Sequence, residues 1–437
     1  MKINVLHIFL VIFLLIIFSI YEGVSIIFPL AFGLLLFSFY AKKMGYGFSE
    51  IFEMIISGGK KSFVVIKIFV LIGGITAVWM ACGTVPYIVY LGIKYINPNY
   101  FVLSAFLISS ITSYLIGSAF GTVGTIGLAL MILAKGAGIN LNVAAGAIIA
   151  GAYFGDRCSP MSSSANLIAT ITETDLYRNV INMAKTSIVP YVFSIGIYLF
   201  LSLRNPLKIY DNTLERAISH SFYLTPYLLL PAVIIIVLSL FRVNVKLSMF
   251  LSTIAGIILG IIFQNRSLWD FIYYYFMGFN MDGESFIGEI IKGGGVVSMV
   301  RVSLIVFISS AYGGIFERTG ILKHIEDRLI SFSTKVGRYL TTLFTSFFAA
   351  AFGCTQALAV ILTHQLVKNI YGDDRYQMAL DMENTAIIIS PLIPWNIAGA
   401  VPAAILSVGY GFIIYSVYIY LLPLMNIHLK KVKTHTL

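Results

Sequence analysis

Residues 144–166 read AAGAIIAGAYFGDRCSPMSSSAN, and this stretch decides the class of fold. Residues 144–155 are apolar, small or aromatic, so they provide no polar face for water. The run ends at the acid Asp156, and Pro160 follows four residues later. A proline inside a helix removes one amide donor and displaces the carbonyl four residues before it, here that of Asp156. We therefore expect an apolar helix that is broken beside a carboxylate.

The rest of the chain has the composition of a membrane protein. Of the 437 residues, 59% are hydrophobic and 11% are charged, whereas about 25% are charged in ordinary soluble domains. Apolar segments near the ~20 residues that cross a bilayer recur from end to end. They lie at 4–20, 24–40, 62–82, 101–118, 180–203, 227–241, 247–263, 296–316, 339–352 and 397–421. The expected fold class is an all-α polytopic membrane protein with about 10–12 transmembrane helices.

The basic residues lie in short gaps between apolar segments, which argues against a nucleic-acid partner despite the net charge of +10. The loop after the second segment and the C-terminal tail are basic, with Lys42, Lys43, Lys60, Lys61, Lys430, Lys431 and Lys433. Basic loops stay in the cytoplasm. We expect a multi-pass protein of the cell (cytoplasmic) membrane with both termini cytoplasmic, and a first segment that is a retained helix, since no cleavage pattern follows it.

Short motifs recur at a nearly constant offset. AFGT at 119–122 is echoed by AFGC at 351–354, which lies 232 residues later. Ser159-Pro160 is echoed by Ser390-Pro391 after 231 residues, and Asn166 by Asn396 after 230. Carriers are commonly built from two repeats that meet around a midplane site. The offset predicts a first repeat at 1–203, a linker at 204–221 and a second repeat at 222–437.

The second repeat also contains a proline break. Pro391 frees the carbonyl of Ile387, and Pro394 frees that of Ser390. Irregular backbone at membrane depth occurs where it lines a cavity, and carriers hold cations at such half-helix ends. Both breaks are thus candidate cation sites.

Two acids in apolar runs are candidate ion-binding and proton-exchanging groups, namely Asp156 and Glu383. A carboxylate inside a membrane costs about 2.5–3.5 kcal/mol, so it is functional by default. The alternative for Asp156 is a structural ion pair with Arg157. Asp381 is nearer a charged loop and is expected to be solvated. Arg301, alone in an apolar segment, is either a counter-ion or a snorkelling side chain.

Hydroxyl and amide groups follow each break and supply the oxygen ligands that sodium prefers. With the two acids, the candidate substrate- and ion-binding residues are Asp156, Ser159, Ser162, Ser163, Ser164, Asn166, Glu383, Asn384, Thr385, Ser390 and Asn396. The candidate sodium ligands among them are Asp156, Asn166, Glu383 and Asn396. Since serine and asparagine are also ordinary helix caps, capping is the alternative for any single one. The glycine-rich stretch 121–127 indicates either tight helix packing or a substrate path.

Longer motifs, in the same order along most of the chain, resemble those of the NhaC family of sodium/proton antiporters, within the ion transporter superfamily. CGTVP at 82–86 is similar to the family's SGTVP, and GTIG at 124–127 and GAYFGD at 151–156 match family motifs. GGI at 313–315 with Thr319-Gly320 resembles GGIxxxTG, and SPLIPWN at 390–396 equals the family sequence. The resemblance implies two inverted repeats with re-entrant hairpins, and sodium and protons as coupling ions.

Two departures from the family pattern concern the substrate. Family SPLSDTTN reads SPMSSSAN at 159–166, so Ser163 replaces an acid, and family LED[SA]G reads MENTA at 382–386, so Asn384 replaces a second. Fewer negative charges weaken cation binding and leave room for a substrate's own carboxylate. The expected function is sodium/proton exchange; the alternative is sodium-coupled transport or exchange of an amino acid or small organic acid.

Other functional classes fit the sequence less well. An intramembrane aspartyl protease needs a second aspartate within reach, and a passive channel does not need paired midplane breaks. No nucleotide-binding GxxxxGK[ST] loop occurs, and the six histidines make no metal-ligand spacing. We expect a secondary transporter that is not an enzyme and has no cofactor, with the lipid bilayer as its main partner. A second copy of the chain, in a homodimer, is a candidate partner.

Overall fold

The structure is a computed structural model that describes residues 5–22, 24–95, 97–206, 213–241, 243, 245–281, 288, 291–320, 323–353 and 355–427. Within those ranges the regular structure is helical, apart from one antiparallel bridge between Phe279 and Gly293. The first half contains α1 Val5–Tyr21, α2 Ile27–Lys43, α3 Phe48–Ala81, α4 Thr84–Tyr95, α5 Phe101–Ile116, α6 Ala119–Gly136, α7 Leu141–Cys158, α8 Ser163–Thr172 and α9 Leu176–Arg204. The second half contains α10 Thr213–Ser221, α11 Leu230–Leu240, α12 Val245–Gln264, α13 Leu268–Met277, α14 Val300–Thr319, α15 Lys323–Val336, α16 Arg338–Gly353, α17 Gln356–Tyr371, α18 Arg375–Leu392, α19 Ile397–Ile405, α20 Phe412–Tyr415 and α21 Val417–Asn426.

By length and composition, five unbroken helices among the described residues can cross a membrane, and up to eight spans result if each bent helix pair counts as one. Large apolar side chains such as Ile188, Val192 and Phe193 are exposed on α9, where lipid rather than water is a suitable solvent. The chain is an all-α polytopic membrane protein, which confirms the predicted fold class. The expected number of 10–12 crossings stays a prediction.

One predicted apolar segment, 397–421, is wrong as a continuous helix. Helix α19 ends at Ile405, and α21 begins only at Val417. Ser407 adopts a left-handed backbone with φ 55°, which stops the helix, and Gly409 and Gly411 follow. The sequence stays apolar through this turn, so hydrophobicity alone did not show where the helix ends.

Two helical hairpins have tightly turned tips. Helices α5 and α6 meet at Gly117, whose φ of 70° suits glycine and whose missing Cβ leaves room for the backbone of Met161. Ser118 then caps α6 by accepting a hydrogen bond from Gly121 N at 3.2 Å. In the second hairpin, α16 ends at Gly353 and Thr355 caps α17 through Leu358 N at 3.1 Å.

Each hairpin is followed by a broken helix. Helix α7 ends at Cys158 and α8 begins after Ser162, which accepts from Ala165 N at 3.3 Å. Helix α18 ends at Leu392 and α19 begins after Asn396, which accepts from Ala398 N at 3.0 Å. The order hairpin, helix, break, capped helix thus occurs twice, and the cap that corresponds to Asn396 is Ser162 rather than Asn166.

The two hairpins enter the molecule from opposite ends. At one end the start of α18 pairs with the end of α8 through Arg375 and Glu173, and Arg338 at the start of α16 pairs with Asp374 at 3.5 Å. At the other end, one cavity is lined by Lys135 of α6, together with Leu141 and Ile405. The tips of the hairpins meet in the interior, around the breaks in α7 and α18.

Candidate functional site

The carboxylate of Asp156 lies between the two hairpin tips. It is 6% exposed, and it accepts hydrogen bonds from Ser164 Oγ at 3.0 Å, Gln356 Nε2 at 3.2 Å and Ala119 N at 3.4 Å. Ala119 is the first residue of α6 and Gln356 the first of α17. A carboxylate is well placed there because helix N-termini carry unpaired N–H groups and a partial positive charge.

The carbonyls that the prolines free have found new donors. Ser164 Oγ donates to Asp156 O at 3.1 Å, and Gln356 Nε2 donates to Ile387 O at 3.3 Å. Ser390 O accepts from Ile393 N at 3.2 Å. Because buried backbone acceptors need partners, side chains from neighbouring elements satisfy them and hold the breaks in place.

Arg157 has no exposed surface, and none of its hydrogen bonds goes to Asp156. Its guanidinium donates to Glu383 O, Met183 O, Cys158 Sγ, Ser187 Oγ, Thr186 Oγ1 and Asn384 Oδ1. Asp156 and Arg157 therefore form no ion pair with each other, and the structural alternative for Asp156 is wrong. Arg157 instead ties the first broken helix to α9 and α18.

Glu383 stands at the start of a π-helical turn, Glu383–Ile387, within α18. Such turns are rare and occur frequently at functional sites. The side chain has no exposed surface, and neither carboxylate oxygen has a hydrogen-bond partner among the described residues. A buried acceptor without a donor is rare in a native structure and calls for an explanation such as an ion. Glu383 is therefore the residue of the candidate site whose carboxylate is available to bind an ion.

The other candidates of the second break are buried and hydrogen-bonded. Asn384 Oδ1 accepts from Arg157 and, at 3.3 Å, from Thr186 Oγ1, and Thr385 Oγ1 donates to Asp381 O at 2.7 Å. Ser390 Oγ donates to Ala386 O at 2.7 Å. Asn396 Oδ1 caps α19 by accepting from Ala398 N at 3.0 Å, and its Nδ2 donates to Ala350 O of α16 at 2.8 Å. Capping, the alternative weighed from the sequence, describes Asn396 well.

The candidates of the first break divide into two groups. Ser159, Ser162 and Ser164 are buried, and Ser162 is the cap of α8. Ser163 and Asn166 are exposed on the other face of that helix. Among the four candidate sodium ligands, the carboxylates of Asp156 and Glu383 thus lie in the interior, whereas Asn166 is at the surface. Among the described residues no cluster of three or more His, Cys, Asp or Glu side chains occurs.

Two residues of this region were not identified from the sequence. Gln356 was missed, although it stands directly after the echoed AFGC motif and the helix cap. Asp381 was expected to be solvated and this is wrong: it is 4% exposed and accepts from Tyr371 OH at 2.6 Å and Gln377 Nε2 at 2.7 Å. Helix α17 packs against α18 and covers it. Arg301 is exposed at the start of α14.

The glycine-rich stretch 121–127 contains the second π-helical turn, Val123–Gly127. A Cβ on Gly127 would lie 2.9 Å from the side chain of Ile148, and one on Gly124 would lie 3.4 Å from Ile72. These contacts favour the packing interpretation, since small residues let helices approach closely.

A polytopic helical protein whose broken helices meet at buried carboxylates has the architecture of a secondary transporter. The chain belongs to the Na+/H+ antiporter family, whose family model matches residues 1–164 and 151–429. This confirms the family resemblance and makes the protein a transporter by family.

Curated relatives cover most of the chain. The malate-2H(+)/Na(+)-lactate antiporter of Bacillus subtilis (strain 168) is 30% identical over 376 residues, which are 84% of this chain and 80% of the relative. The Na(+)/H(+) antiporter NhaC of the same strain is 29% identical over 417 residues, 93% and 92% of the two chains. The arginine/ornithine antiporter ArcD of Halobacterium salinarum (strain ATCC 700922 / JCM 11081 / NRC-1) is 28% identical over 382 residues, 83% and 77% of the two chains.

Proposed function

We propose that the protein exchanges sodium for protons across the cytoplasmic membrane, and that the Glu383 carboxylate binds the two ions in turn. The observation that supports this is the pair of buried Glu383 oxygens without a hydrogen-bond partner. An isolated buried carboxylate is costly unless a proton or a cation neutralises it. A group that needs one or the other is suited to exchanging them.

Asp156 is the second ion-binding group in this proposal. It lies at the contact of both hairpin tips, and Gln356 joins it to Ile387 O in the π-helical turn that begins at Glu383. A cation bound near it would be attracted by both carboxylates and would have the hydroxyl of Ser164 as a further oxygen ligand. A movement of either tip changes the surroundings of Asp156, which is the coupling that alternating access requires.

The proposed frame is two inverted repeats, 1–203 and 222–437, joined by a linker at 204–221. The entry of the two hairpins from opposite ends supports this frame. Lys42 and Lys43 at the end of α2 support a cytoplasmic position for that end, since basic loops stay in the cytoplasm. Cytoplasmic termini and sodium and protons as coupling ions belong to the same proposal.

The test is sodium-driven proton movement in vesicles that contain the purified protein and a pH-sensitive dye inside. In Glu383→Gln the charge of the ligand is lost, which costs about 3 kcal/mol, roughly 100-fold in sodium affinity. The matched control is Glu53→Gln, since Glu53 is an exposed partner of Arg318 at 2.9 Å. Equal exchange in Glu383→Gln and the control would reject the proposed role.

A second candidate function is exchange of an amino acid or small organic acid. It is favoured by Asn384, where an amide rather than a family acid meets Arg157, and by Ser163. The names of two relatives include such solutes, malate and lactate in one and arginine and ornithine in the other. Sodium uptake that requires an added carboxylate or amino acid, together with no sodium-driven pH change in its absence, would establish this function in place of simple exchange.

A further inference from the structure

Two asparagines on the buried face of α9 lie outside the candidate site. Asn179 is 2% exposed and Asn182 is 6% exposed. Asn179 Oδ1 and Asn182 Nδ2 have no hydrogen-bond partner among the described residues. Buried polar atoms are nearly always hydrogen-bonded, either to protein or to ordered water. The two amides therefore call for a ligand.

The spacing and the chemistry of the two atoms define that ligand. The residues are three apart in one helix, so their Cβ atoms lie about 5–6 Å from each other on one face. Asn182 Nδ2 donates hydrogen bonds and Asn179 Oδ1 accepts them, so a ligand between them must do both. Water does, and a hydrogen bond of about 2.9 Å on each side fits the gap. A metal cation does not fit, because it accepts no hydrogen bond from Asn182.

This pair of amides is connected to the surface of the protein. Asn179 Nδ2 donates to Thr174 Oγ1 at 2.7 Å, in the loop between α8 and α9. Thr174 is half-buried, and it follows the exposed Glu173, which pairs with Arg375. Water can therefore reach the first asparagine from this end of the molecule.

The same face of α9 leads inward to α18. Thr186 lies one turn after Asn182, and its Oγ1 donates to Asn384 Oδ1 at 3.3 Å. Asn384 directly follows Glu383 in the π-helical turn. The opposite face of α9 is apolar and exposed, for example at Ile188. A buried polar face in a membrane helix is typical of a water-filled path.

We infer that Asn179 and Asn182 bind one water molecule between them. This water belongs to a solvent path that runs along α9 from Thr174 to Asn384. The water site is independent of the proposed function. Its role in transport rests on that function and deepens it, since the site of a carrier must be reached from each side in turn. Both asparagines are positioning residues, because they act through the water.

The first test is thermal unfolding in detergent. Asn182→Leu keeps nearly the shape of the side chain and removes its polar atoms. If water joins the two amides, this change breaks the bridge and leaves Asn179 Oδ1 without a partner, so the melting temperature is expected to fall. In a dry interior the same change would remove an unpaired polar group and raise the melting temperature. A raised melting temperature would overturn the inference.

A second asparagine variant tests whether one water serves both amides. Asn179→Leu breaks the same bridge and also the bond to Thr174. The double variant with Asn182→Leu is therefore expected to lose less than the sum of the two single losses. Asn426→Leu is the matched control, since Asn426 is a buried amide of α21 that donates to Leu422 O at 2.8 Å. Its loss should add to that of Asn182→Leu, and equal additivity in both pairs would contradict a shared water.

Transport gives the second readout, in vesicles that contain the purified protein. Asn182→Leu is expected to lower the maximal rate of sodium-driven proton movement by up to about tenfold, the equivalent of one hydrogen bond. The sodium concentration at half-maximal rate is expected to stay the same, because Asn182 makes no hydrogen bond to Asp156 or Glu383 among the described residues. Asn426→Leu is expected to keep the wild-type rate.

The outcomes separate the inference from the proposed function. Equal maximal rates in Asn182→Leu and Asn426→Leu would overturn the solvent path. A wild-type protein without any sodium-driven proton movement would reject the proposed function, and the melting temperatures of the variants would still decide the water site.

Discussion

Asp156 and Glu383 are both buried acids, but their surroundings differ. Asp156 accepts from three donors that come from three different elements, α6, α8 and α17. Glu383 accepts from none among the described residues. Hydrogen bonds to a carboxylate fix its position, so Asp156 also helps to hold the surrounding elements together, whereas the Glu383 carboxylate does not.

This difference predicts opposite effects on stability for two isosteric changes. Asp156→Asn replaces one carboxylate oxygen by an NH2 group that faces either Ala119 N or the donors Ser164 Oγ and Gln356 Nε2, and we expect it to lower the free energy of unfolding by about 1–3 kcal/mol. Glu383→Gln removes an unpaired buried charge and should leave stability unchanged or raise it. Thermal unfolding in detergent measures both, and a larger loss in Glu383→Gln would contradict this division.

Gln356 reaches both breaks, since its amide donates to Asp156 Oδ2 and to Ile387 O. Gln356→Leu keeps most of the volume and leaves two buried acceptors unpaired, at a cost of about 1–3 kcal/mol each. We expect a lower melting temperature and weaker sodium binding. Gln365→Leu, on the same helix and outside these contacts, is the control for the change of polarity.

The sequence predicted both acids but not their partners. The contact between Gln356 and Asp156 spans 200 residues, so local pattern contains no trace of it. Asp381 was misplaced for the opposite reason, because the charged loop before it suggested water while α17 covers it in the fold. At this scale, sequence identifies which groups are costly to bury and does not identify what satisfies them.

Helices α5 and α7 approach each other closely beside the site. Gly151 and Gly155 of α7 lie directly against α5, where added Cβ atoms would overlap Phe106 O and the backbone of Ser113 and Tyr114. The contact orients the end of α7, and with it Asp156. Proline therefore breaks the helix, and the glycines fix the position of the break by letting α7 pack directly against α5.

Gly155→Ala is expected to force α5 and α7 apart, at a cost of about 1–3 kcal/mol, and to reduce transport by displacing Asp156. Gly196→Ala is the matched control, because nothing lies within 4 Å of the added Cβ there. The control should be neutral or stabilising by about 1 kcal/mol, since alanine is the better helix former. Similar losses in both variants would show that this approach is not tight.

At the level of elements, the prolines predicted both breaks because their effect on a helix is local. The caps were harder to assign. Asn166 and Asn396 follow the same motif, but Asn396 begins a helix whereas Asn166 lies one turn inside α8. The distance from a break to the next cap depends on loop conformation, which periodicity does not specify.

Across the whole molecule, the two broken helices touch at one end through Glu173 and Arg375. Both side chains are more than half exposed, so the pair contributes about 0–1 kcal/mol to stability. The pair is useful for an experiment on the relative movement of the two helices, because it joins the end of α8 to the start of α18.

A cleavable cross-link between cysteines at these positions tests whether α8 and α18 move against each other. In Glu173→Cys/Arg375→Cys, a bifunctional thiol reagent with an internal disulfide is expected to stop transport and reduction to restore it, because alternating access separates or rotates the two halves of a carrier. The reduced protein is the control for the substitutions. Full transport in the cross-linked state would show that α8 and α18 move together.

The fold class followed from composition and apolar segments alone, since lipid leaves helices as the only local solution. The opposite entry of the two hairpins did not follow, because no single segment encodes which end it faces. It depends on contacts such as those of Arg338 with Asp374 and of Arg375 with Glu173.

The two hairpin tips hold Asp156 by different chemistry. The first tip offers a backbone N–H, which every residue except proline provides, whereas the second offers a side-chain amide that a single nucleotide change can remove. Mutation can therefore weaken one tip and leave the other as it is. Under the proposed function, a change at one tip can adjust the rate of ion release to one side of the membrane without altering the other.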